Sequence, residues 1–303
     1  MLDFLRSQGI DESILSKIQD FRRLYPAPEE QTYRIPQPKF YYYGQDIWRK
    51  ALTAILSGEN LLLVGPKATG KNVLAENLAA VYGRPEWDIS FYLNTDAASL
   101  IGTDTFKNGQ VSLRHGPIYQ CAEHGGFGVL DEINMAKNES LAVLHATLDF
   151  RRIIDVPGYE RINLAPCTRF IATMNYGYAG TREINEALAS RFMVINMPII
   201  GKEHLQKLLK DQYPRLKDQY AQQLAGLFQE IRAKCESAEI STKALDLRGL
   251  IAAVSLTENG LDLSQALEMG IINKSFDDYE RQLVADIIAA RIPALSARDI
   301  FAS

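Results

Sequence analysis

The sequence predicts an α/β domain with a parallel sheet, followed by a smaller all-α domain. Between residues 39 and 200, short apolar runs end in polar residues and alternate with helical patterns, as expected for a parallel sheet covered by helices. Only helical periodicity follows Lys202. We therefore divide the chain into an N-terminal helix and proline-rich linker (1–38), an α/β domain (39–200) and a helical domain (201–303). The helices expected in the last part cover about 202–212, 216–235, 242–257, 262–271 and 276–290.

Composition excludes several classes of protein. The chain has 303 residues, is 47% hydrophobic and carries a formal net charge of −4, which argues against a protein that coats nucleic acid. A local basic patch stays possible, but a nucleic-acid partner is not expected. Cys121, Cys167 and Cys235 form no C-x-x-C pair, so neither a disulfide framework nor a zinc site is expected. No apolar run approaches the roughly 20 residues of a membrane span, and the N-terminus lacks a signal-peptide core, so the cytoplasm is the expected location.

The N-terminal region contains one predicted amphipathic helix, because apolar residues recur at helical spacing from Ile14 to Leu24. We favour a helix docked on the main domain over an arm that binds a partner. The segment Tyr43, Gly44 and Gln45 lies between this region and the first apolar strand. These residues either line an adenine pocket, since aromatic and backbone groups commonly hold purines, or are half-buried structural residues.

The most informative stretch is a phosphate-loop pattern. The apolar run Leu61–Val64 leads into G-x-x-x-x-G-K, and a helical pattern follows. Unpaired N–H groups and the helix dipole at such a helix start favour phosphate. The spacing alone arises by chance in roughly one chain in ten of this length. The expected nucleotide-binding residues are Gly65, Pro66, Lys67, Ala68, Thr69, Gly70, Lys71 and Asn72.

Asn72 departs from the phosphate-loop pattern. Ser or Thr usually follows the lysine and supplies a hydroxyl to Mg²⁺. The amide oxygen of Asn72 can also bind Mg²⁺, but it does not replace a hydroxyl in every respect. Lys71 is expected to reach the terminal phosphates.

Two further apolar strands also end in polar side chains. The run Gly126–Leu130 delivers Asp131 and Glu132, and the run Arg169–Met174 delivers Asn175. Because ligands bind at the carboxyl edge of parallel sheets, Asp131 is expected to hold Mg²⁺ and Glu132 to polarise a water for attack on phosphate. Asn175 is either a turn residue or one that orients the water.

Two hairpins interrupt this pattern. Asn108-Gly109 and Pro157-Gly158 each sit between segments of strand character, which predicts one hairpin before the acidic strand and one after it. Residues 180–192, Gly-Thr-Arg-Glu-Ile-Asn-Glu-Ala-Leu-Ala-Ser-Arg-Phe, then form a predicted short helix ending at Arg191.

Taken together, these motifs resemble the MoxR family of AAA+ ATPases over about residues 38–290. The 180–192 phrase also resembles the rubisco-activating and gas-vesicle ATPases. The resemblance implies a three-layer αβα P-loop domain with an all-α lid. It also implies ATP and Mg²⁺ as ligands, and a homo-oligomeric ring, a hexamer, with a nucleotide at each interface.

The resemblance further implies roles for individual residues. Asp131 and Glu132 match the Walker B pair, and Asn175 matches sensor 1. Arg191 matches the arginine finger, which completes the site of a neighbouring subunit. Lys243 occupies the position of sensor 2 at the start of a lid helix, and Arg248 further along is its rival.

The function expected from this resemblance is ATP-driven remodelling or chaperoning of a protein client, with a von Willebrand A-domain partner. The two hairpins either line a pore and touch the client or pack against the ring. One alternative is a module that assembles with nucleotide and scarcely hydrolyses it. A weaker alternative is a motor acting on DNA, against which the acidic balance counts.

Overall fold

The structure is a computed structural model that describes residues 1–107, 109–176, 183–292 and 295–302. Asn108 of the predicted Asn-Gly turn and residues 180–182 of the 180–192 phrase, including Arg182, lie outside the described residues. The chain divides into two compact units. The first contains Met1–Pro66 and Gly70–Pro198, and the second contains Ile199–Ser303 together with Lys67–Thr69.

The centre of the first unit is a five-stranded parallel sheet. Its strands lie in the order β2 (Glu86–Ser90), β5 (Phe127–Asp131), β8 (Arg169–Met174), β1 (Leu61–Val64) and β9 (Met193–Asn196). Its inner strands are buried along almost their whole length, so they read as continuous apolar runs rather than alternating ones. The strands of this unit are β1 (Leu61–Val64), β2 (Glu86–Ser90), β3 (Gly102–Lys107), β4 (Gln110–His115), β5 (Phe127–Asp131), β6 (Ile153–Ile154), β7 (Ile162–Asn163), β8 (Arg169–Met174) and β9 (Met193–Asn196).

Helices cover this sheet and end in short connections. They are α1 (Leu2–Ser7), α2 (Glu12–Leu24), α3 (Gln45–Leu56), α4 (Lys71–Tyr82), α5 (Ala97–Ile101), α6 (Pro117–Glu123), α7 (Asn138–Leu141), α8 (His145–Leu148) and α9 (Glu186–Ala189). Short 3-10 helices cover Glu29–Arg34, Ile133–Met135 and Ala142–Leu144. The 3-10 turn at Ala142–Leu144 separates α7 from α8.

The N-terminal region is docked on the sheet domain. Leu5 of α1 and Leu15 and Phe21 of α2 belong to the same buried core as Leu52 of α3 and Tyr82 of α4. The favoured interpretation of a docked helix is therefore confirmed, and residue 38 does not separate two compact units. The pattern missed α1, because six residues are too few to show helical periodicity.

Both predicted hairpins are present. Strands β3 and β4 pair antiparallel, with Phe106 opposite Val111, and β6 pairs antiparallel with β7. The hydroxyl of Tyr159, in the turn between β6 and β7, donates a hydrogen bond to Asp104 of β3 at 2.7 Å. The two hairpins are therefore joined to each other.

In the described residues of the second unit, the regular secondary structure is helical, apart from an isolated bridge between Leu216 and Phe301. Its α-helices are α10 (Lys202–Gln212), α11 (Asp218–Glu236), α12 (Leu247–Glu258), α13 (Leu263–Gly270), α14 (Asp278–Arg291) and α15 (Ala297–Ile300), with a 3-10 turn at Ile272–Lys274. Within the described parts of the chain, no helix is long and apolar enough to cross a membrane.

The start of α12 differs from the prediction. We expected a helix from about residue 242, but α12 begins at Leu247 with Asp246 as its N-cap, whose carboxylate accepts a hydrogen bond from the Gly249 N–H at 3.1 Å. The Ser241 N–H instead donates to the Glu280 carboxylate. Lys243 therefore precedes the helix, whereas Arg248 lies in its first turn.

Helices α12 and α13 approach each other through a pair of glycines, so we expect Gly249→Ala to destabilise the protein. A Cβ added at Gly249 would lie 1.9 Å from the Gly270 carbonyl oxygen, which forces the two backbones apart. We expect a loss of about 1–3 kcal/mol in the free energy of unfolding, measured by urea denaturation.

The matched control is Gly226→Ala in α11, where an added Cβ meets nothing closer than Arg291 Nη1 at 3.6 Å. Replacing a helical glycine with alanine there should stabilise by about 0.5–1 kcal/mol. Equal stabilities of the two variants would contradict the close helix approach.

Candidate functional site

The loop between β1 and α4 has the backbone geometry of a phosphate cradle. Gly70 caps α4 with φ at 77°, and Ala68 also has a positive φ of 62°. The Gly65 N–H donates to the Met174 carbonyl at 3.2 Å, which attaches the start of the loop to the end of β8. An added Cβ at Gly70 would lie 3.1 Å from the Tyr42 ring, so glycine suits this position for space as well as for φ.

Lys71 is folded back over its own loop. Its ammonium donates to the carbonyl oxygens of Gly65 and Pro66, each at 2.8 Å, and the residue is only 7% exposed. Burial lowers the pKa of Lys71 to about 8, against the opposing influence of Asp131 and Glu132. A phosphate in the loop would compensate this desolvated charge.

Thr173 holds both acidic residues at the end of β5. Its hydroxyl donates to Asp131 Oδ1 at 2.6 Å and accepts a hydrogen bond from the Glu132 N–H at 3.0 Å. Glu132 has a φ of 55°, a conformation that few non-glycine residues adopt. Such backbone outliers persist where surrounding contacts determine them, and they cluster at functional sites.

Asn175 and Asn134 complete this network. The Asn175 Nδ2 donates to Glu132 Oε1 at 2.9 Å, and the Asn134 Nδ2 donates to the Asn175 carbonyl at 2.9 Å. The structure therefore brings Glu132 and Asn175 into direct contact. Neither Thr173 nor Asn134 was among the predicted site residues. Their position in the sequence could have indicated a role in the site, because each is a polar residue in an otherwise apolar stretch, two residues from a predicted site residue.

The residues present suit Mg²⁺ bound together with a nucleotide. Asp131 is half-buried, and Asn72 is exposed at the second position of α4. Among the described residues, no group of three or more His, Cys, Asp or Glu side chains could hold a metal by itself. Mg²⁺ typically takes one or two protein oxygens and completes its shell with phosphates and water, and Asp131 and Asn72 offer that chemistry.

The predicted adenine segment is in contact with the N-terminal region. The Gly44 N–H donates to Gln8 Oε1 at 3.4 Å, and the Gln45 side-chain amide donates to the Gly9 carbonyl at 2.5 Å. Tyr43 is 8% exposed, with the ring of Phe4 edge-on at 5.5 Å. Its adenine role stays a prediction.

Arg191 lies toward the opposite end of the strands from the loop. It precedes β9, whose first residue Met193 pairs with Leu61 at the start of β1. Met193 is therefore about 13 Å from Gly65 along the strand direction, at ~3.3 Å per residue, and Arg191 lies in the turn that precedes Met193. Lys243 and Arg248 belong to the second unit, where both are exposed.

Comparison with known proteins agrees with this geometry. Residues 60–192 match the family described as AAA domain, dynein-related subfamily. The chain is 31% identical over 288 residues to the uncharacterized protein YojN of Bacillus subtilis, covering 93% of this chain and 94% of that protein. It is 32% identical over 255 residues to the uncharacterized protein SSP1341 of Staphylococcus saprophyticus, covering 82% of this chain and 97% of that protein.

The chain belongs to the dynein-related subfamily of the AAA family. The five-stranded parallel sheet, its flanking helices and the helical C-terminal region confirm the predicted AAA+ fold with an all-α lid. Membership in this family supports nucleotide binding and ATPase activity.

The desolvated ammonium of Lys71 makes stability depend on pH in the nucleotide-free protein. The native state releases this proton near pH 8, whereas the unfolded chain holds it until near the ordinary pKa of 10.5. Between these values the unfolded state binds more protons, so the wild type should gain stability relative to Lys71→Met as pH rises. Below pH 8 the difference should be constant.

The measurement is urea unfolding of both proteins at several pH values from 7 to 10. Comparing the two proteins cancels the titration of groups that they share. The control variant Lys67→Met removes an exposed lysine of the same loop. A difference between wild type and Lys71→Met that does not change with pH would refute the burial of the charge.

Proposed function

We propose that the protein is a MoxR-type AAA+ ATPase that hydrolyses ATP to remodel or chaperone a protein client. The observation that carries this proposal is the hydrogen bond between Asn175 and Glu132, next to Asp131 and the phosphate loop. A carboxylate held by an amide at the carboxyl edge of the sheet is suited to orient a water for attack on the terminal phosphoryl group. MoxR-type ATPases belong to the subfamily that this sequence matches.

Each residue has a defined task in this reaction. The loop N–H groups and Lys71 bind the phosphates, and Lys71 moves from its carbonyl partners to a phosphate oxygen. Glu132 accepts a proton from the attacking water, and Asn175 keeps the Glu132 carboxylate in place. Asp131 and Asn72 are the residues that would hold Mg²⁺, which supplies charge neutralisation at the phosphates when bound.

The position of Arg191 supports a site shared between subunits. The Arg191 guanidinium is held by Asp149 near the start of β1, whereas the phosphate loop begins about 13 Å further along that strand, so Arg191 points away from a nucleotide bound by its own chain. An arginine at the opposite edge of the sheet can serve a second copy of the chain. We therefore propose a homo-oligomeric ring, a hexamer, in which Arg191 acts in trans.

Arg248 is the better candidate for sensor 2. Because α12 begins at Leu247, Arg248 lies in the first turn of a lid helix, and Lys243 precedes it. A planar guanidinium also offers two N–H groups side by side to a phosphate, which an ammonium cannot do.

The hairpins are the proposed contact for the client. Phe106 is 77% exposed and Val111 is 62% exposed, and they form a cross-strand pair on β3 and β4. An exposed apolar pair on a hairpin suits transient contact with an unfolded segment. We propose a protein client in the cytoplasm and a von Willebrand A-domain partner, and the net charge of −4 disfavours DNA as the substrate.

The second candidate is a module that assembles with nucleotide but scarcely hydrolyses it. Asn72 favours it, because an exposed amide replaces the hydroxyl that usually binds Mg²⁺ at this position.

Glu132→Gln separates the two candidates. If the chain is an ATPase, this variant should bind ATP as the wild type does and lose at least about 100-fold in kcat, because the glutamine amide cannot accept the proton. Phosphate release reports hydrolysis, and a fluorescent ATP analogue reports binding.

The matched control is Glu139→Gln, an exposed acid of α7, which should hydrolyse ATP at the wild-type rate. Nucleotide binding by the wild type with no more phosphate release than Glu132→Gln would establish the assembly module instead.

A further inference from the structure

Asp149 lies between two arginines at the edge of the sheet opposite the phosphate loop. Its Oδ2 accepts hydrogen bonds from Arg151 Nη2 at 2.7 Å and from Arg191 Nη2 at 3.3 Å. The side chains of Asp149 and Arg191 are 12% and 20% exposed, whereas that of Arg151 is 47% exposed. Arg191, the proposed arginine finger, therefore has a carboxylate partner in its own chain.

The contacts of Arg191 orient its guanidinium and leave part of it available. Its Nε donates to the His145 carbonyl at 3.0 Å, its Nη1 donates to the Ala187 carbonyl, and its Nη2 donates to Asp149. These bonds use three of the five N–H donors of an arginine and leave one on each terminal nitrogen for an external anion. Two donors on a planar fork match the oxygens of a phosphate.

The backbone around this pair is attached to the sheet through Asn60, the residue before β1. The Asn60 Nδ2 donates to the carbonyl of Leu148, next to Asp149, at 3.2 Å. The Asn60 carbonyl accepts from the N–H of Met193, two residues after Arg191, at 2.8 Å. Asp149 and Arg191 are thus fixed to the strand that carries the phosphate loop at its other end.

The carboxylate also keeps two like charges together. Hydrogen bonds from Arg151 are the largest cause that lowers the pKa of Asp149 to about 2, with a smaller contribution from Arg191. Asp149 therefore stays ionised at every pH at which the protein would work. Without its charge, Arg151 and Arg191 would repel each other, and Arg191 would lose its side-chain anchor.

We propose that Asp149 is a positioning residue, which directs the free N–H groups of Arg191 toward the terminal phosphates of a nucleotide bound by a second copy of this chain. This inference rests on the proposed ATPase function and on the role of Arg191 in trans. Asp149 itself touches no substrate, so its effect appears only at the site of the neighbouring subunit.

The test compares full-length Asp149→Asn and Arg191→Ala by phosphate release. Asp149→Asn keeps an oxygen for the Arg151 N–H, which donates to Oδ1 at 3.0 Å, but removes the charge. We expect a fall in kcat of about 10–100-fold with an unchanged KM for ATP. Asp149→Glu should restore part of the rate, and Glu139→Gln, which changes an exposed acid of α7, should match the wild type.

Mixing experiments separate positioning from a merely structural role. Lys71→Ala disables the phosphate loop but keeps Arg191 and Asp149. Adding it to Asp149→Asn or to Arg191→Ala should therefore restore hydrolysis in mixed assemblies. Mixing Asp149→Asn with Arg191→Ala should restore nothing, because both variants lack the same contribution in trans.

Several results would overturn the inference. One is a rate of Asp149→Asn that equals or exceeds the wild-type rate while Arg191→Ala is inactive. Another is restored hydrolysis when Asp149→Asn and Arg191→Ala are mixed. If thermal unfolding shows that Asp149→Asn does not fold, the same test is made with Asp149→Glu. That variant must then have a lower kcat than the wild type and an unchanged KM. Absence of hydrolysis by the wild type overturns the proposed function, and the inference with it.

Discussion

The parallel register of β5, β8 and β1 is the constraint on which the rest of the site depends. Val129 and Leu61 each pair with Ile171, so the three strands run side by side and end at one edge. Asp131, Thr173 and the first residue of the phosphate loop meet there for that reason. The hydroxyl of Thr173 then sets the geometry of both acidic residues, because it contacts the carboxylate of one and the backbone of the next.

The same strands connect the phosphate loop at one edge of the sheet with the proposed position of Arg191 at the other. Strand β1 leads into the phosphate loop and is preceded by Asn60, a buried residue whose side chain also accepts a hydrogen bond from the Phe170 N–H of β8 at 2.9 Å. Asn60 holds the segments that carry Asp149 and Arg191. A small rigid sheet can therefore present a nucleotide on one edge and an arginine on the other, which is the arrangement a shared site requires.

Much of the fold and part of the site could be predicted from the sequence, because both depend on local patterns. Apolar runs ending in Gly65, Asp131 and Asn175 are visible without a structure. The contacts of Thr173 and Asp149 are not, because they join residues far apart in the chain. The start of α12 was missed because Ser241 and Asp246 are both good caps, and tertiary contacts of Ser241 with Glu280 decide between them.

The most direct test of a site shared between subunits is the mass of the wild-type chain in solution, measured with Mg·ATP while phosphate release per chain is followed over a range of protein concentrations. We expect both to increase together, with the mass reaching that of a ring, because a lone chain cannot bring Arg191 to its own nucleotide. A chain that stays monomeric and hydrolyses ATP at a rate independent of concentration would contradict it.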